Sequence, residues 1–154
     1  MVNEVEGIAD SGRSRIATRA DLDALFMCDP HAAGSEVERR AQIESAVDRS
    51  QCIVWETDSQ VVGFIVTLPR YFYGRDFVDL FVVLESYRRR GIGRSLMRAA
   101  VDSVALTEVW TSTNESNFAM RELLASEGWQ LSGTLRGLDE GDAELVFYFG
   151  RMDV

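Results

Sequence analysis

The stretch VVLESYRRRGIGRSL at residues 82–96 decides how this chain is interpreted. An apolar run typical of a strand leads into a turn with consecutive arginines and two glycines, and the turn leads into a segment with helical periodicity. The first N–H groups of a helix have no intrahelical acceptor, and the helix dipole places partial positive charge at the same end. Gly91 and Gly93 lack a Cβ atom, so an anion can approach the backbone closely. The stretch is therefore predicted to bind a pyrophosphate.

The competing interpretation of this turn is an ordinary basic helix start with two incidental glycines. Residues 88–93 alone do not separate the two interpretations. The turn is not a Walker loop, which needs Gly-Lys-Ser/Thr, and it lacks the third glycine of a dinucleotide fingerprint. The rest of the sequence must decide.

Composition and charge restrict the class of protein. The chain has 154 residues, of which 46% are hydrophobic, enough for one domain with a sizeable core. A formal net charge of −9 argues against nucleic acid as a partner. No apolar run is long enough to span a membrane, and the N-terminus lacks the apolar core of a signal peptide, so a cytoplasmic location is expected. A single histidine and two distant cysteines predict no metal site.

The apolar periodicities predict a mixed sheet. Strands are predicted near residues 15–18, 51–57, 61–68, 76–84, 108–113, 129–135 and 144–151, and helices near 21–27, 36–48, 91–105 and 117–126. Residues 29–34, 69–75 and 137–142 are expected to be connections. Three successive strands precede the third helix, which a purely parallel doubly wound sheet would not have. The predicted fold is an α/β (α+β mixed) domain with a mostly antiparallel sheet of six or seven strands and about four helices.

With these motifs, the chain resembles the GNAT superfamily of N-acetyltransferases, which use acetyl-CoA. The family signature is an apolar strand, then Arg/Gln-x-x-Gly-x-Gly/Ala, then a helix, and Arg88, Gly91 and Gly93 match it. A second family element is an asparagine that opens a short helix followed by glycine and an aromatic residue, which Asn117 and Gly128-Trp129 match in spacing. The order of elements agrees from residue 15 to 151. Residues 1–14 are expected to be a flexible leader, and residues 15–151 a single N-acetyltransferase domain.

The resemblance implies where acetyl-CoA binds. The central strands of the sheet would splay apart, and Phe81, Val82 and Val83 would hydrogen-bond the pantetheine arm as though it were another strand. Asn117 would contact the same arm. The pyrophosphate would be held by the turn and the helix start, namely Arg88, Arg89, Arg90, Gly91, Ile92, Gly93, Arg94 and Ser95.

The chain also departs from the family pattern. Many relatives carry a tyrosine seven residues after the asparagine, where it protonates the leaving thiolate, and Leu124 occupies that position here. Another group or water would supply the proton, unless none is needed until release. Residues 111–117 and 138–145 resemble a bacterial subgroup of GNAT proteins whose substrates are largely unassigned.

Two carboxylates on the central strand are candidates for the general base. Asp76 and Asp79 lie on opposite faces of that strand. Asp79 stands in an apolar run, a surrounding in which catalytic carboxylates occur, and is the preferred candidate; a structural carboxylate at a bulge is the alternative. By analogy with the family, the backbone N–H of Val83 or Val82 would stabilise the oxyanion.

Residues for the acceptor are suggested more weakly. Tyr71 and Tyr73 precede the central strand and are candidates for the wall of the acceptor cleft, although ordinary half-buried aromatics are the preferred interpretation. Glu140 and Asp142 in the last hairpin would hold a cationic acceptor, unless the acidic loop is simply a solvated turn. A homodimer through an exposed final strand is left open.

Three functions follow from these features. The first is an acetyl-CoA-dependent N-acetyltransferase that moves the acetyl group to a primary amine of a small molecule or peptide by direct attack. The second is a non-catalytic CoA-binding regulatory or interaction protein, for which Leu124 is the best support. The third is an unrelated nucleotide-phosphate module, which requires the match at Asn117 to be accidental.

Overall fold

The described part of the chain folds as a mixed α/β protein with seven strands and five α-helices. The structure, a computed structural model, describes residues 11–34, 36–104 and 108–150. The strands are β1 (Arg13–Ile16), β2 (Cys52–Thr57), β3 (Gln60–Phe72), β4 (Arg75–Val83), β5 (Glu108–Asn114), β6 (Gln130–Asp139) and β7 (Asp142–Gly150). The helices are α1 (Leu22–Cys28), α2 (Pro30–Ala33), α3 (Val37–Asp48), α4 (Ile92–Ser103) and α5 (Phe118–Ser126).

The strands form one sheet in the order β1-β2-β3-β4-β5-β7-β6. The pairs β1–β2, β2–β3, β5–β7 and β6–β7 are antiparallel, whereas β4 and β5 are parallel. The predicted mixed, mostly antiparallel sheet is therefore confirmed. The parallel pairing of β4 with β5 joins Asp76–Val78 to Val109–Thr111 and ends at Val78. There the Thr111 hydroxyl donates to the Val78 carbonyl at 3.0 Å. The next residues of β4, Asp79 and Leu80, lie beyond this register.

The expectations for segment 29–34 and for the edge of the sheet were wrong. Segment 29–34 contains the short helix α2 where a connection was predicted. Helix α2 forms because the Asp29 carboxylate accepts a hydrogen bond from the His31 N–H (3.0 Å) and Pro30 occupies the first helical position. The edge strand is β6, because the final strand β7 lies between β5 and β6, so β7 offers no free edge to a second copy.

Strand β3 continues through Pro69 to Phe72, where a connection was expected. Its last register pair with β2 is Val66 with Cys52, so Pro69 removes no hydrogen bond from that ladder. Arg70 then takes a left-handed conformation with φ of 53°, and its N–H donates to the Asp76 carboxylate at 2.9 Å. This hydrogen bond connects the part of β3 beyond the proline to the start of β4.

The chain divides into two compact units, Met1–Val66 with Phe81–Ala99, and Thr67–Leu80 with Ala100–Val154. Residues 1–10 of the expected leader lie outside the described residues, and β1 already begins at Arg13. That residues 15–151 act as a single domain stays a prediction.

Local signals fix the ends of several elements. The β2–β3 hairpin turns at Asp58 and Ser59, whose φ values of 51° and 60° match the twist of the flanking strands. Helix α5 ends at Ser126. Gly128, just beyond it, has φ of 84° and donates to the Ala125 carbonyl, while Trp129 donates to the Leu124 carbonyl at 3.0 Å. This pair of bonds is a Schellman motif.

A partly buried ion network fixes the N-terminal strand in the first unit. The Arg15 guanidinium donates to both Asp21 carboxylate oxygens at 2.8 and 2.9 Å and to Glu56 at 2.7 Å. The Asp21 carboxylate also accepts from the Thr18 N–H at 2.8 Å. Hydrogen bonds from Arg15 hold the pKa of Asp21 below its usual value, although burial opposes this shift. Strand β1 is thereby joined to the start of α1 and to β2.

We expect Asp21→Ala to lower the free energy of unfolding by about 2 kcal/mol at pH 7, because it leaves Arg15 without its bidentate partner. A lowered carboxyl pKa stabilises the fold above the unfolded value of about 4, and this contribution is lost as pH falls through the folded value. The difference between wild type and variant should therefore narrow below about pH 4. Urea unfolding at pH 7, 5 and 3 measures it.

Asp48→Ala is the matched control, because Asp48 pairs with Arg19 on the surface, where both side chains are about half exposed. Its effect should stay under about 1 kcal/mol. The assigned role of Asp21 would be contradicted if both variants lost the same free energy of unfolding. It would also be contradicted if the difference between wild type and Asp21→Ala did not change with pH.

Candidate functional site

The predicted phosphate turn lies in the first unit, between β4 and α4. The N–H of Leu84, just after β4, donates to the Val62 carbonyl of β3 at 2.8 Å. A single 3₁₀ turn follows at Glu85–Tyr87, and α4 begins at Ile92, which is buried. Phe81, Val82 and Val83 are partly buried, whereas residues 88–91 are exposed. The strand end and the helix start are thus joined by a short exposed turn, as the sequence predicts.

The backbone amides of this turn are the feature that suits an anion. Within the described part of the chain, the N–H groups of residues 89–93 donate no hydrogen bond, and the Ser95 N–H donates to the Gly91 carbonyl at 3.0 Å. Arg89 and Gly91 have φ values of 62° and 78°. Left-handed residues beside right-handed ones turn successive N–H groups toward one side, and such concave arrangements bind anions. The turn therefore fits a pyrophosphate.

The three turn arginines differ in their surroundings. The Arg88 side chain donates to the Val83 carbonyl at 3.1 Å. Arg90 donates to the Ser86 carbonyl at 3.3 Å and lies 4.8 Å from the centre of the Tyr87 ring. Arg89 is exposed and contacts no partner in the described ranges. Arg88 and Arg90 thus brace the turn while leaving their positive charge beside it, and Arg89 is the arginine best placed to meet an anion directly.

Gly63 on β3 is a position beside the predicted site that the sequence reasoning missed. A Cβ atom at Gly63 would lie 2.9 Å from the Val82 carbonyl oxygen and 3.3 Å from side-chain atoms of Val83 and Leu96. A contact of 2.9 Å with backbone would force β3 and β4 apart. Gly63 therefore sets the position of Val82 and Val83, the residues predicted to bind the pantetheine arm. An isolated glycine within an apolar strand was the available signal.

Asn117 lies in the second unit at the start of α5. Its Oδ1 accepts from the Met120 N–H at 3.2 Å, which makes Asn117 the N-cap of the helix. Because the oxygen is used by the helix, the amide NH₂ is the part of the side chain that can donate to a ligand. Asn117 is exposed, as binding requires.

The second unit also contains the two carboxylate candidates for the general base, whereas Val83 lies in the first unit. Asp76 is buried and accepts from the Arg70 N–H, so it has a structural role in β3. Asp79 is partly buried and lies on the opposite face of β4. Leu124, at the position of the family tyrosine, is fully buried at 0% exposure. That position supplies neither a proton donor nor an accessible side chain.

The predicted acceptor residues have different surroundings. Tyr71 and Tyr73 are 62% and 84% exposed, so they are surface residues rather than half-buried ones. The ring centres of Tyr71 and Phe77 are 5.8 Å apart. The Tyr73 ring packs edge to face against the ring of Phe72. Glu140 lies exposed in the β6–β7 turn. Asp142 is the first residue of β7 and accepts from the Ser116 N–H at 3.1 Å, so one predicted acceptor residue has an internal partner.

Both cysteines are buried, and their thiols are weaker acids than usual. Burial raises the pKa of the Cys28 thiol to about 11 and that of Cys52 to about 12, with smaller contributions from the negative charges of Asp29 and Asp21 respectively. Neither thiol forms a nucleophilic thiolate near neutral pH. Among the described residues, no group of three or more His, Cys, Asp or Glu side chains is arranged to hold a metal ion. No helix there is long and apolar enough to cross a membrane.

Comparison with known proteins agrees with this geometry. Residues 19–129 match the Acetyltransferase (GNAT) family. A GNAT-family acetyltransferase from Bacillus cereus is 30% identical, with a TM-score of 0.84 over 92% of this chain and 99% of that one. Ribosomal-protein-alanine N-acetyltransferase from Brucella melitensis is 24% identical, with a TM-score of 0.75 over 90% and 99% of the two chains. Diaminobutyrate acetyltransferase from Paenibacillus lautus, in complex with L-2,4-diaminobutyric acid and coenzyme A, is 17% identical, with a TM-score of 0.76 over 95% and 99%. A search of proteins of curated function found no match.

A strand–turn–helix anion site and this mixed sheet together define an acyl-CoA-binding transferase. The chain belongs to the GNAT family of acetyltransferases, and its acetyl donor is acetyl-CoA. The residues of the turn fit this donor, since its amides lack other acceptors and its arginines bring positive charge.

Gly91→Ala should raise the Kd for CoA about tenfold, because the new methyl group stands where the pyrophosphate would approach the amides. Isothermal titration calorimetry measures this constant. Gly74→Ala is the matched control: Gly74 and Gly91 have φ of 76° and 78°, and neither has an atom within 4 Å of the added carbon. Both variants thus carry the same backbone strain. Equal CoA affinity in the two would exclude the turn as the phosphate site.

Gly63→Ala should also weaken CoA binding, by displacing Val82 and Val83. Overpacking of this kind costs about 1–3 kcal/mol of stability. Gly133→Ala on β6 is the control, because a carbon added there meets no atom within 4 Å. Thermal unfolding and CoA titration on both variants test this. Normal CoA affinity in a folded Gly63→Ala protein would refute the role given to Gly63.

Proposed function

We propose that this protein transfers the acetyl group of acetyl-CoA to a primary amine of a small molecule or peptide by direct attack of the amine. The observation that carries the proposal is the run of backbone amides without acceptors at residues 89–93. In this proposal the pyrophosphate binds these amides together with the arginines and the first turn of α4. Phe81–Val83 hydrogen-bond the pantetheine arm, and Asn117 donates to it.

Acetyl transfer to an amine requires removal of a proton. An alkylammonium has a pKa near 10, so only about one molecule in a thousand is neutral at pH 7. Asp79 is the proposed general base, because it is partly buried on β4 and lies beyond the end of the register with β5. Acetyl-CoA supplies the activated thioester, and the N–H of Val83 is proposed to donate to its carbonyl oxygen as negative charge develops there.

The side chains available favour direct attack over an acetylated enzyme. Both cysteines are buried with raised pKa values, so neither offers a thiolate to accept the acetyl group. Because Leu124 cannot donate a proton, the departing thiolate takes its proton from water or another group, or leaves unprotonated. Helix α5 contains no tyrosine at any position, so no tyrosine elsewhere in this helix takes the place of the family tyrosine.

A second candidate function is supported by Leu124. A protein that binds CoA but lacks the usual proton donor could serve as a CoA-responsive regulatory or interaction protein. The two functions differ in turnover: the first releases CoA in the presence of an acceptor, and the second does not.

The acceptor and the cellular setting are proposed on coarser grounds. Solved relatives include enzymes named for diaminobutyrate and for the alanine of a ribosomal protein, so both small amines and peptide amines belong in the test. We also infer a cytoplasmic location in a bacterium and a single catalytic domain over residues 15–151. A homodimer, if it forms, would use a surface other than an edge of β7.

A thiol-release screen with acetyl-CoA tests the function. Its acceptors are diamines, amino acids, polyamines, aminoglycosides and peptides with free N-termini. Acceptor-dependent CoA release supports the transferase. Tight CoA binding without release over the whole panel supports the regulatory alternative, and failure of acetyl-CoA to bind at millimolar concentration contradicts both.

With any acceptor found in that screen, Asp79→Asn should lower kcat by about 100-fold, because an amide cannot take the proton from the acceptor amine. Asp76→Asn is the control, since Asp76 is buried and bonded to Arg70; it should lower stability and leave kcat close to that of wild type. An Asp79→Asn enzyme with wild-type kcat at every pH would remove Asp79 from the mechanism.

A further inference from the structure

The β6–β7 turn is hydrogen-bonded to the loop that carries Asn117. We call residues 114–117 the connecting loop, because they join β5 to α5. The Asp142 carboxylate accepts from the Ser116 N–H at 3.1 Å and from the Ser116 hydroxyl at 2.5 Å. The Asp139 carboxylate accepts from the Asn114 side-chain amide at 2.9 Å. Both ends of the turn therefore hold the connecting loop, and all of these residues lie in the second unit.

Backbone bonds complete this attachment. The Glu115 N–H donates to the Ala143 carbonyl at 2.8 Å, and the Arg121 guanidinium donates to the Glu115 carbonyl at 2.8 Å. The connecting loop is thus held from β7 on one side and from α5 on the other. Within the connecting loop, Ser116 is the residue that Asp142 binds through both carboxylate oxygens.

Asn117 depends directly on the position of this loop. Its N–H donates to the Asn114 carbonyl at 3.0 Å, and its side-chain oxygen accepts from the Met120 N–H at 3.2 Å. These two bonds fix the backbone and the side chain of Asn117 together. Movement of Ser116, the preceding residue, would change where the Asn117 NH₂ group points.

We infer that Asp142 is a positioning residue for the cofactor site: its carboxylate holds Ser116, and thereby orients Asn117 toward the pantetheine arm. This rests on the proposed function, in which Asn117 contacts that arm. The acidic β6–β7 turn then supports cofactor binding through the connecting loop, which is a different role from direct contact with a cationic acceptor. A carboxylate suits this role because it offers two acceptor oxygens to the two donors of one serine.

The test compares CoA with 3′-phosphoadenosine 5′-diphosphate, the part of CoA that carries the pyrophosphate and lacks the pantetheine arm. Asp142→Ala should raise the Kd for CoA about tenfold and change the Kd for the nucleotide less than about twofold. General damage to the protein would weaken both ligands. Titration calorimetry on the full chain gives both constants, and no acceptor is needed.

Three further variants separate the hydrogen bonds from the charge. Asp142→Asn keeps one acceptor oxygen and should restore part of the CoA affinity, whereas Glu122→Gln, a loss of charge on an exposed face of α5, should bind CoA like wild type. Ser116→Ala removes one of the two donors and should weaken CoA binding in the same direction. It also tests the proposal if Asp142→Ala does not fold.

The outcomes distinguish this inference from the proposed function. If wild type fails to bind CoA, the proposed function itself is wrong. If wild type binds CoA while Asp142→Ala and Ser116→Ala bind it equally well, or lose CoA and nucleotide affinity together, the positioning role is wrong and the function stands.

Discussion

Backbone N–H groups without intramolecular acceptors, at the junction of β4 and α4, are the feature on which the site depends. A helix cannot satisfy its first amides internally, and here the preceding turn adds more, so residues 89–93 donate to no acceptor within the described chain. Because the turn is exposed, water can solvate these groups in the absence of a ligand. A pyrophosphate can replace that water with charge-assisted hydrogen bonds that the helix dipole favours.

The surrounding structure keeps this junction in place. The side chains of Arg88 and Arg90 bond to backbone carbonyls of Val83 and Ser86, which holds the turn against the strand end and the 3₁₀ turn. On β3, the absence of a side chain at Gly63 lets the backbone of Val82 approach closely. The strand that would bind the pantetheine arm and the turn that would bind the pyrophosphate are therefore fixed by contacts within one unit.

Features that depend on residues close in sequence could be predicted. The strand–turn–helix of residues 82–96 and the capped helix from Asn117 to Trp129 are both specified by local backbone preferences, and both occur as expected. The short helix α2 was also within reach, since Asp29-Pro30 is a helix-start signal. Features that depend on distant partners could not be predicted. The hydrogen bond that connects β3 beyond Pro69 to β4 needs Asp76, the role of Gly63 needs Val82, and the partner of Asp142 is 26 residues away in sequence.

Chemical shifts of the turn amides test the central claim most directly. In ¹H–¹⁵N spectra of the full chain, addition of CoA should move the amide resonances of Arg89, Gly91 and Gly93 and slow their exchange with solvent, because these N–H groups would then donate to phosphate. Resonances of the β2–β3 hairpin at Asp58 and Ser59 should stay in place. Saturating CoA binding that leaves the turn amides unshifted would contradict the account.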